Sequence, residues 1–153
     1  MRMMLRRRAL VAVLAAGSLL TGCGTVSYQP SPNAVPVVFV HGNGDTAALW
    51  QTTLWRFESN GWPRERLLAI NLPYPLARDD DSKAQPGRTS ADEHMAFLKA
   101  EVERVRARTG ASKVVLVGNS RGGNAIRHFI QNGGGDRVVS HAILGDTPNH
   151  GVQ

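Results

Sequence analysis

A chain of 153 residues has the length of one domain, and a hydrophobic content of 42% is that of a protein able to fold around a core. Its formal charge of +6 points to nucleic acid or membrane only until the charges are placed, because Arg2, Arg6, Arg7 and Arg8 crowd the first eight residues and no acid precedes Asp45. Without those four arginines the 18 basic side chains become 14 against 12 acids, a balance of +2; no basic stripe interleaved with aromatics remains, and nucleic-acid binding is disfavoured.

The arginine-rich start leads into an apolar run, Ala9 to Leu20, broken only by Gly17 and Ser18. That run is too short to span a bilayer and has the length of a signal-peptide core. It ends in Leu20-Thr21-Gly22-Cys23, which resembles the lipobox of bacterial lipoprotein precursors. The resemblance implies that residues 1–22 are removed and that Cys23 is acylated. The exported protein would then be anchored to the membrane of the cell envelope through lipid on Cys23. An ordinary signal peptide, giving a secreted protein, is the alternative. Cys23 is the one cysteine, so no disulfide forms within the chain. Residues 23–34, small, polar and Pro-containing, read as a tether between anchor and domain.

From residue 35 to 153 the texture is that of a folded domain. Val35 to Val40 is an apolar run interrupted by Pro36, expected as a buried strand whose first residues lie outside the ladder. Trp50, Leu54 and Phe57 recur at helical spacing before Gly61, and Leu67 to Ile70 reads as a second strand. Asn71 to Arg88, with Asp79-Asp80-Asp81 and several prolines, is expected to be a solvated surface connection rather than an acidic binding site. Ser90 and Glu93 form a capping box ahead of the apolar face Met95, Leu98, Val102 and Val105, and Gly110 stands where that helix should stop. A strand over Lys113 to Val117, a helix over Arg121 to Asn132 and a strand over Val138 to Leu144 follow. Strands alternating with helices imply an α/β fold, a parallel sheet with flanking helices.

Two loops after strands carry the chemistry. Val114 to Val117 runs into Gly118-Asn119-Ser120-Arg121-Gly122, a G-x-S-x-G sequence between a strand and a helix. A nucleophilic serine needs such a sharp turn to project its hydroxyl above the sheet, and small residues at Gly118 and Gly122 relieve the crowding. The helix beginning at Arg121 aims free N–H groups at the site, where a tetrahedral intermediate would carry negative charge. The other loop, His41-Gly42-Asn43-Gly44, follows the first strand. It resembles the oxyanion-hole loop of α/β-hydrolases. Gly42 and Gly44 let that chain turn, and the donors are expected to be the backbone N–H groups of Asn43 and Arg121. His41 precedes the nucleophile on a different strand end and is expected to buttress its loop, not to act as base.

On VVFVHGNG, the Gly61-Trp62 pair with the basic-acidic turn after it, TGASKVVLVGNSRGGNAI, and a strand ending near Leu144, the stretch Val35 to Val152 resembles the amino-terminal portion of class 2 bacterial lipases. The resemblance implies an α/β-hydrolase fold, incomplete at the C-terminus, that hydrolyses ester or lipid substrates through an acyl-enzyme on Ser120. Most of that family carry His before the serine and Met after it, where this chain has Asn119 and Arg121. Both flanking positions act mainly through backbone, and Arg121 should make the rim of the site more basic.

The family's triad runs Ser, then an acid, then His, and only 33 residues follow Ser120. Asp146, after the last strand, is a weak candidate for the acid, and His150 lies too close in sequence to be the usual base. His94, His128 and His141 are expected in surface or core roles. The chain therefore reads as part of a longer hydrolase, poorly active as it stands; a non-catalytic, lipid-anchored binding protein with a hydrolase-like fold is the alternative. No cofactor motif and no metal-ligand spacing is present, and the sequence leaves oligomeric state open.

Overall fold

Val37–Val40, four consecutive apolar residues, form strand β1, and all four are buried because both faces of the sheet are covered here. The structure, a computed structural model, describes residues 31–149; the leader, Cys23 and His150 lie outside them. After β1 comes a 3-10 turn, Ala47–Trp50, and then helix α1, Gln51–Ser59. Trp50 thus precedes the α-helix, with the side chain of Thr46 accepting the Ala48 N–H at the start of the turn. Strand β2 is Leu67–Ala69, one residue shorter than expected at its end, although Ile70 N–H still donates to Phe39 O at 3.0 Å.

The segment expected to be a plain surface loop is organised. It holds two short strands, β3 (Leu76–Ala77) and β4 (Arg88–Thr89), paired in parallel as a sheet of their own. Their turn is braced by charge: Arg88 donates to the Ala77 carbonyl at 2.7 Å and meets Asp79 at 3.2 Å.

Helix α2, Ala91–Thr109, opens on the capping box, with Ser90 Oγ accepting the Glu93 N–H and Glu93 accepting the Ser90 N–H at 2.9 Å. That bond, ahead of the neighbouring Arg78, holds the Glu93 carboxyl below its ordinary pKa. The helix ends at Gly110 in the left-handed conformation. Strand β5 (Val114–Asn119), helix α3 (Arg121–Asn132) and strand β6 (Val139–Gly145) complete the order.

The main sheet runs β2-β1-β5-β6, all parallel. Side chains alternate across it. Val38, Val40, Val114 and Leu116 face α2 and α3, meeting Leu98, Val102, Ile126 and Phe129; Val37 and Phe39 face α1 through Leu54. On the α1 side Phe39 lies 5.3 Å from Trp50 and 5.5 Å from Phe57, and Phe57 continues edge-on to Trp62. Removing a side chain such as Phe39 from water contributes about 1.5–3 kcal/mol, and each such aromatic pair roughly 0.5–1.5 more. Among the described residues β2 and β6 are the outer strands, and Ile143 on β6 is 56% exposed. No helix among the described residues is long and apolar enough to cross a membrane.

Candidate active site

The tight junction between β5 and α3 places Ser120. The residue sits at φ 52°, ψ −122°, a conformation an L-residue adopts only when its surroundings impose it. Its N–H donates to Gly145 O at 3.0 Å and its carbonyl accepts the Gly123 N–H at 2.9 Å, so sheet and helix both hold the turn. The flanking glycines are required by packing. A methyl group on Gly122 would sit 2.9 Å from Val40 C at the end of β1 and 2.6 Å from His41 O just past it, and one on Gly118 would sit 2.8 Å from Gly123 N. The helix thus lies against the ends of β1 and β5, which brings the serine beside the loop after β1.

That loop is His41-Gly42-Asn43-Gly44. His41 is buried, its Nε2 accepts the Leu72 N–H at 3.1 Å, and its Nδ1 lies 2.9 Å from Gly42 O. An Nε2 acting as acceptor puts the ring proton on Nδ1, which donates to that carbonyl. Both nitrogens are thereby occupied, and His41 braces the loop. Asn43 Oδ1 accepts the Ala77 N–H at 2.7 Å, and Gly44, at φ +69°, donates its N–H to Pro75 O at 3.1 Å. As the first residue of α3, Arg121 has an N–H without an intrahelical acceptor.

Ser120, Asn43 and Arg121 line one cavity of about 630 Å³. Its remaining wall comes from Ala77, Arg78, Asp79 and Asp81 of the 71–90 segment, from Ala91 and His94 of α2, from Asn124, Ala125 and His128 of α3, and from Pro148. Two aspartates of the segment read as solvated surface, both exposed as expected, stand at the edge of the cavity. The signal for them was weak: a run of acids looks the same whether it faces solvent or a cleft.

Arg121 lines the cavity and is held there. Its guanidinium is not a free charge on the rim: it donates to the carbonyls of Pro75 at 3.1 Å, of Ser90 at 3.3 Å and, closest, of Thr89. Partial burial lowers its pKa from the usual arginine value, against the opposing pull of Asp81.

Three histidines can be judged as bases by geometry. His94 is buried in the wall, and its Nε2 has no hydrogen-bond partner among the described residues. Burial first, then the neighbouring Arg121 charge, push its pKa down to about 3, so it would not hold a proton taken from a serine near neutrality. His128 lies two turns along α3 from the serine, a rise of roughly 12 Å, and its Nε2 faces Asp92 Oδ1 at 3.3 Å. His141 is exposed on β6. Asp146 follows β6 as expected, but it is exposed, in a left-handed conformation (φ 48°), and outside the cavity wall. The loop carrying it is fixed to α3, with Arg127 Nη1 donating to Asn149 Oδ1 at 2.9 Å. Among the described residues no group of three His, Cys, Asp or Glu is placed to hold a metal.

Known proteins are similar to this chain. The family model for class 2 lipases matches residues 34–153. A non-heme haloperoxidase of Rhodococcus erythropolis is 24% identical over 129 residues, 84% of this chain and 43% of its own. The mature form of the Bacillus licheniformis lipase BlEst2 superposes with a TM-score of 0.60 at 26% identity, over 82% of this chain and 45% of the lipase. A monoacylglycerol lipase of Paleococcus ferrophilus, at 21% identity and a TM-score of 0.54 over 78% of this chain and 41% of its own, shares the fold. The chain thus spans less than half the length of these relatives.

Proposed function

Since the chain belongs to the class 2 lipase family, we propose that the protein is a serine ester hydrolase that works through an acyl-enzyme on Ser120. The observation that carries this reading is the strained Ser120 turn facing Asn43 across one cavity. Ser120 Oγ attacks the ester carbonyl carbon, and the oxyanion receives the N–H groups of Asn43 and Arg121. Collapse of that intermediate releases the alcohol, which takes up the proton lost by the serine. Water then attacks the acyl-enzyme, the carboxylic acid leaves, and the hydroxyl is restored. The serine's own N–H is engaged by Gly145, which leaves those two donors for the oxyanion. Neither His41, His94 nor His128 meets the requirements for the base, so we place the base and its acid outside residues 31–149.

Ester or lipid substrates follow from the family, and the lipobox-like Leu20 to Cys23 supports anchoring in the bacterial cell envelope. Labelling of the full-length protein by a fluorophosphonate, lost in Ser120→Ala together with hydrolysis of p-nitrophenyl esters, is the expected result. Hydrolysis that persists unchanged in Ser120→Ala would end this reading, and a native protein that neither labels nor hydrolyses would return it to the non-catalytic binding role. Incorporation of radiolabelled palmitate that disappears in Cys23→Ser tests the anchor.

A further inference from the structure

One carbonyl joins the two halves of the site. Pro75 O accepts the Gly44 N–H at 3.1 Å from the loop after β1, and the Arg121 Nη1–H at 3.1 Å from the residue next to the nucleophile. Two residues on, Ala77 N–H donates to Asn43 Oδ1 at 2.7 Å. Residues 74–77 therefore form a crossbeam between the loop holding one oxyanion donor and the helix start holding the other. The crossbeam is tied in turn to β4, where Thr89 Oγ1 donates to Tyr74 O at 2.5 Å, and Arg121 grips β4 as well through the Thr89 and Ser90 carbonyls.

We propose that the Arg121 side chain is a positioning residue for the ester hydrolysis proposed above, holding the 74–77 crossbeam so that the Asn43 N–H stays aimed at the oxyanion. This rests on that reading of the site. Arginine suits the task because its planar fork reaches carbonyls in several directions at once, whereas a lysine ammonium is a single point of charge. An apolar residue there would donate to none of them and would leave each carbonyl only its single backbone donor, Gly44 N–H on Pro75, Arg78 N–H on Thr89 and His94 N–H on Ser90, with nothing tying the three together. The guanidinium lies half-buried between the elbow and the segment, so its contacts act within a partly dry site where they are stronger than in water.

The test compares Arg121→Met and Arg121→Lys with wild type in the full-length protein. It reads kcat and KM on p-nitrophenyl butyrate, and hydrogen exchange over residues 41–45 and 72–78. Arg121→Met is expected to lose about 10- to 100-fold in kcat with KM within about threefold, since small misplacements of donors fall on the transition state. Exchange over those two stretches should quicken while α2 and β5 keep their protection, and Arg121→Lys should recover part of both effects. Asn43→Ala combined with Arg121→Met should lose less than the product of the single losses, because both act through the same segment. A kcat within twofold of wild type in Arg121→Met, unchanged exchange at 41–45, or strict additivity in the double variant overturns the proposal. If Arg121→Met does not fold, Arg121→Lys decides: full wild-type kcat and exchange in it also overturn the proposal. A wild-type protein inert to nitrophenyl esters and fluorophosphonate sinks the hydrolase reading instead, and the exchange comparison still decides whether Arg121 holds the crossbeam.

Discussion

A methyl group built on Gly42 would lie 3.1 Å from the Cβ of Ser120, closer than side chains ordinarily approach. The loop bearing Asn43 and the Ser120 turn are therefore in direct contact, with no room for a side chain between them. Gly42→Ala is expected to push the two apart by a few tenths of an ångström, lowering kcat on a short-chain nitrophenyl ester by roughly 10-fold or more while the thermal midpoint falls only a few degrees. Wild-type kcat in that variant would show that the loop gives way freely and that the contact has no bearing on rate.

Gly122 is a harsher site. The atoms its methyl would meet are backbone at the end of β1, Val40 C at 2.9 Å, and just past it, His41 O at 2.6 Å, and backbone leaving a central strand cannot rotate away. Gly122→Ala should destabilise by about 2–4 kcal/mol as α3 is levered off the sheet. Urea titration followed by far-ultraviolet circular dichroism measures this; a midpoint equal to wild type would contradict the packing described for α3.

His94 should make the fold acid-sensitive. Its pKa falls from an ordinary 6.5 to about 3 on folding, so between those values the unfolded chain binds a proton that the native protein does not. Stability is complete above about pH 6.5 and declines as pH drops toward 3, by up to roughly 1.4 kcal/mol per unit. The Nε2 that lacks a partner means His94→Leu gives up no hydrogen bond made by that nitrogen among the described residues. A melting profile that is flatter between pH 4 and 6 in His94→Leu is expected. Equal slopes for the two proteins would rule His94 out as the source.

Asp146 stands apart from the cavity, exposed after β6. Asp146→Asn is accordingly expected to keep kcat within about threefold of wild type. A fall on the order of 10,000-fold, the loss expected when a triad acid is removed, would instead identify it as the partner of the base.

The sequence was most legible where side chains write the structure. Val37 to Val40, the Ser90–Glu93 box and the glycines around Ser120 each have one cheap arrangement, and each element was found within a residue or two of its expected place. The family match over residues 34–153 agrees with the resemblance read from the same motifs. What stayed hidden is built from main-chain carbonyls. Pro75, Thr89 and Ser90 receive Arg121 through atoms that every residue possesses, so no pattern of residue types announces the contact. Asp79 and Asp81 are solvated charge as expected, and only the pairing of β3 with β4 shows that they also stand at the edge of the cavity.

The pairing of β1 with β5 has a kinetic side. Val40 and Gly118 are registered partners, yet α1, β2 and all of α2 lie between them in the chain. Closing so long a loop costs entropy that only the finished sheet and its helices repay, whereas α2, with its own cap and stop, can begin locally. The loop that holds Asn43 and the turn that holds Ser120 hang on the ends of these two strands, so they meet only when the slowest contact of the domain is made. Regain of fluorophosphonate reactivity during refolding should therefore trail the recovery of helical signal, and reactivity at Ser120 would mark a chain that has joined β1 to β5.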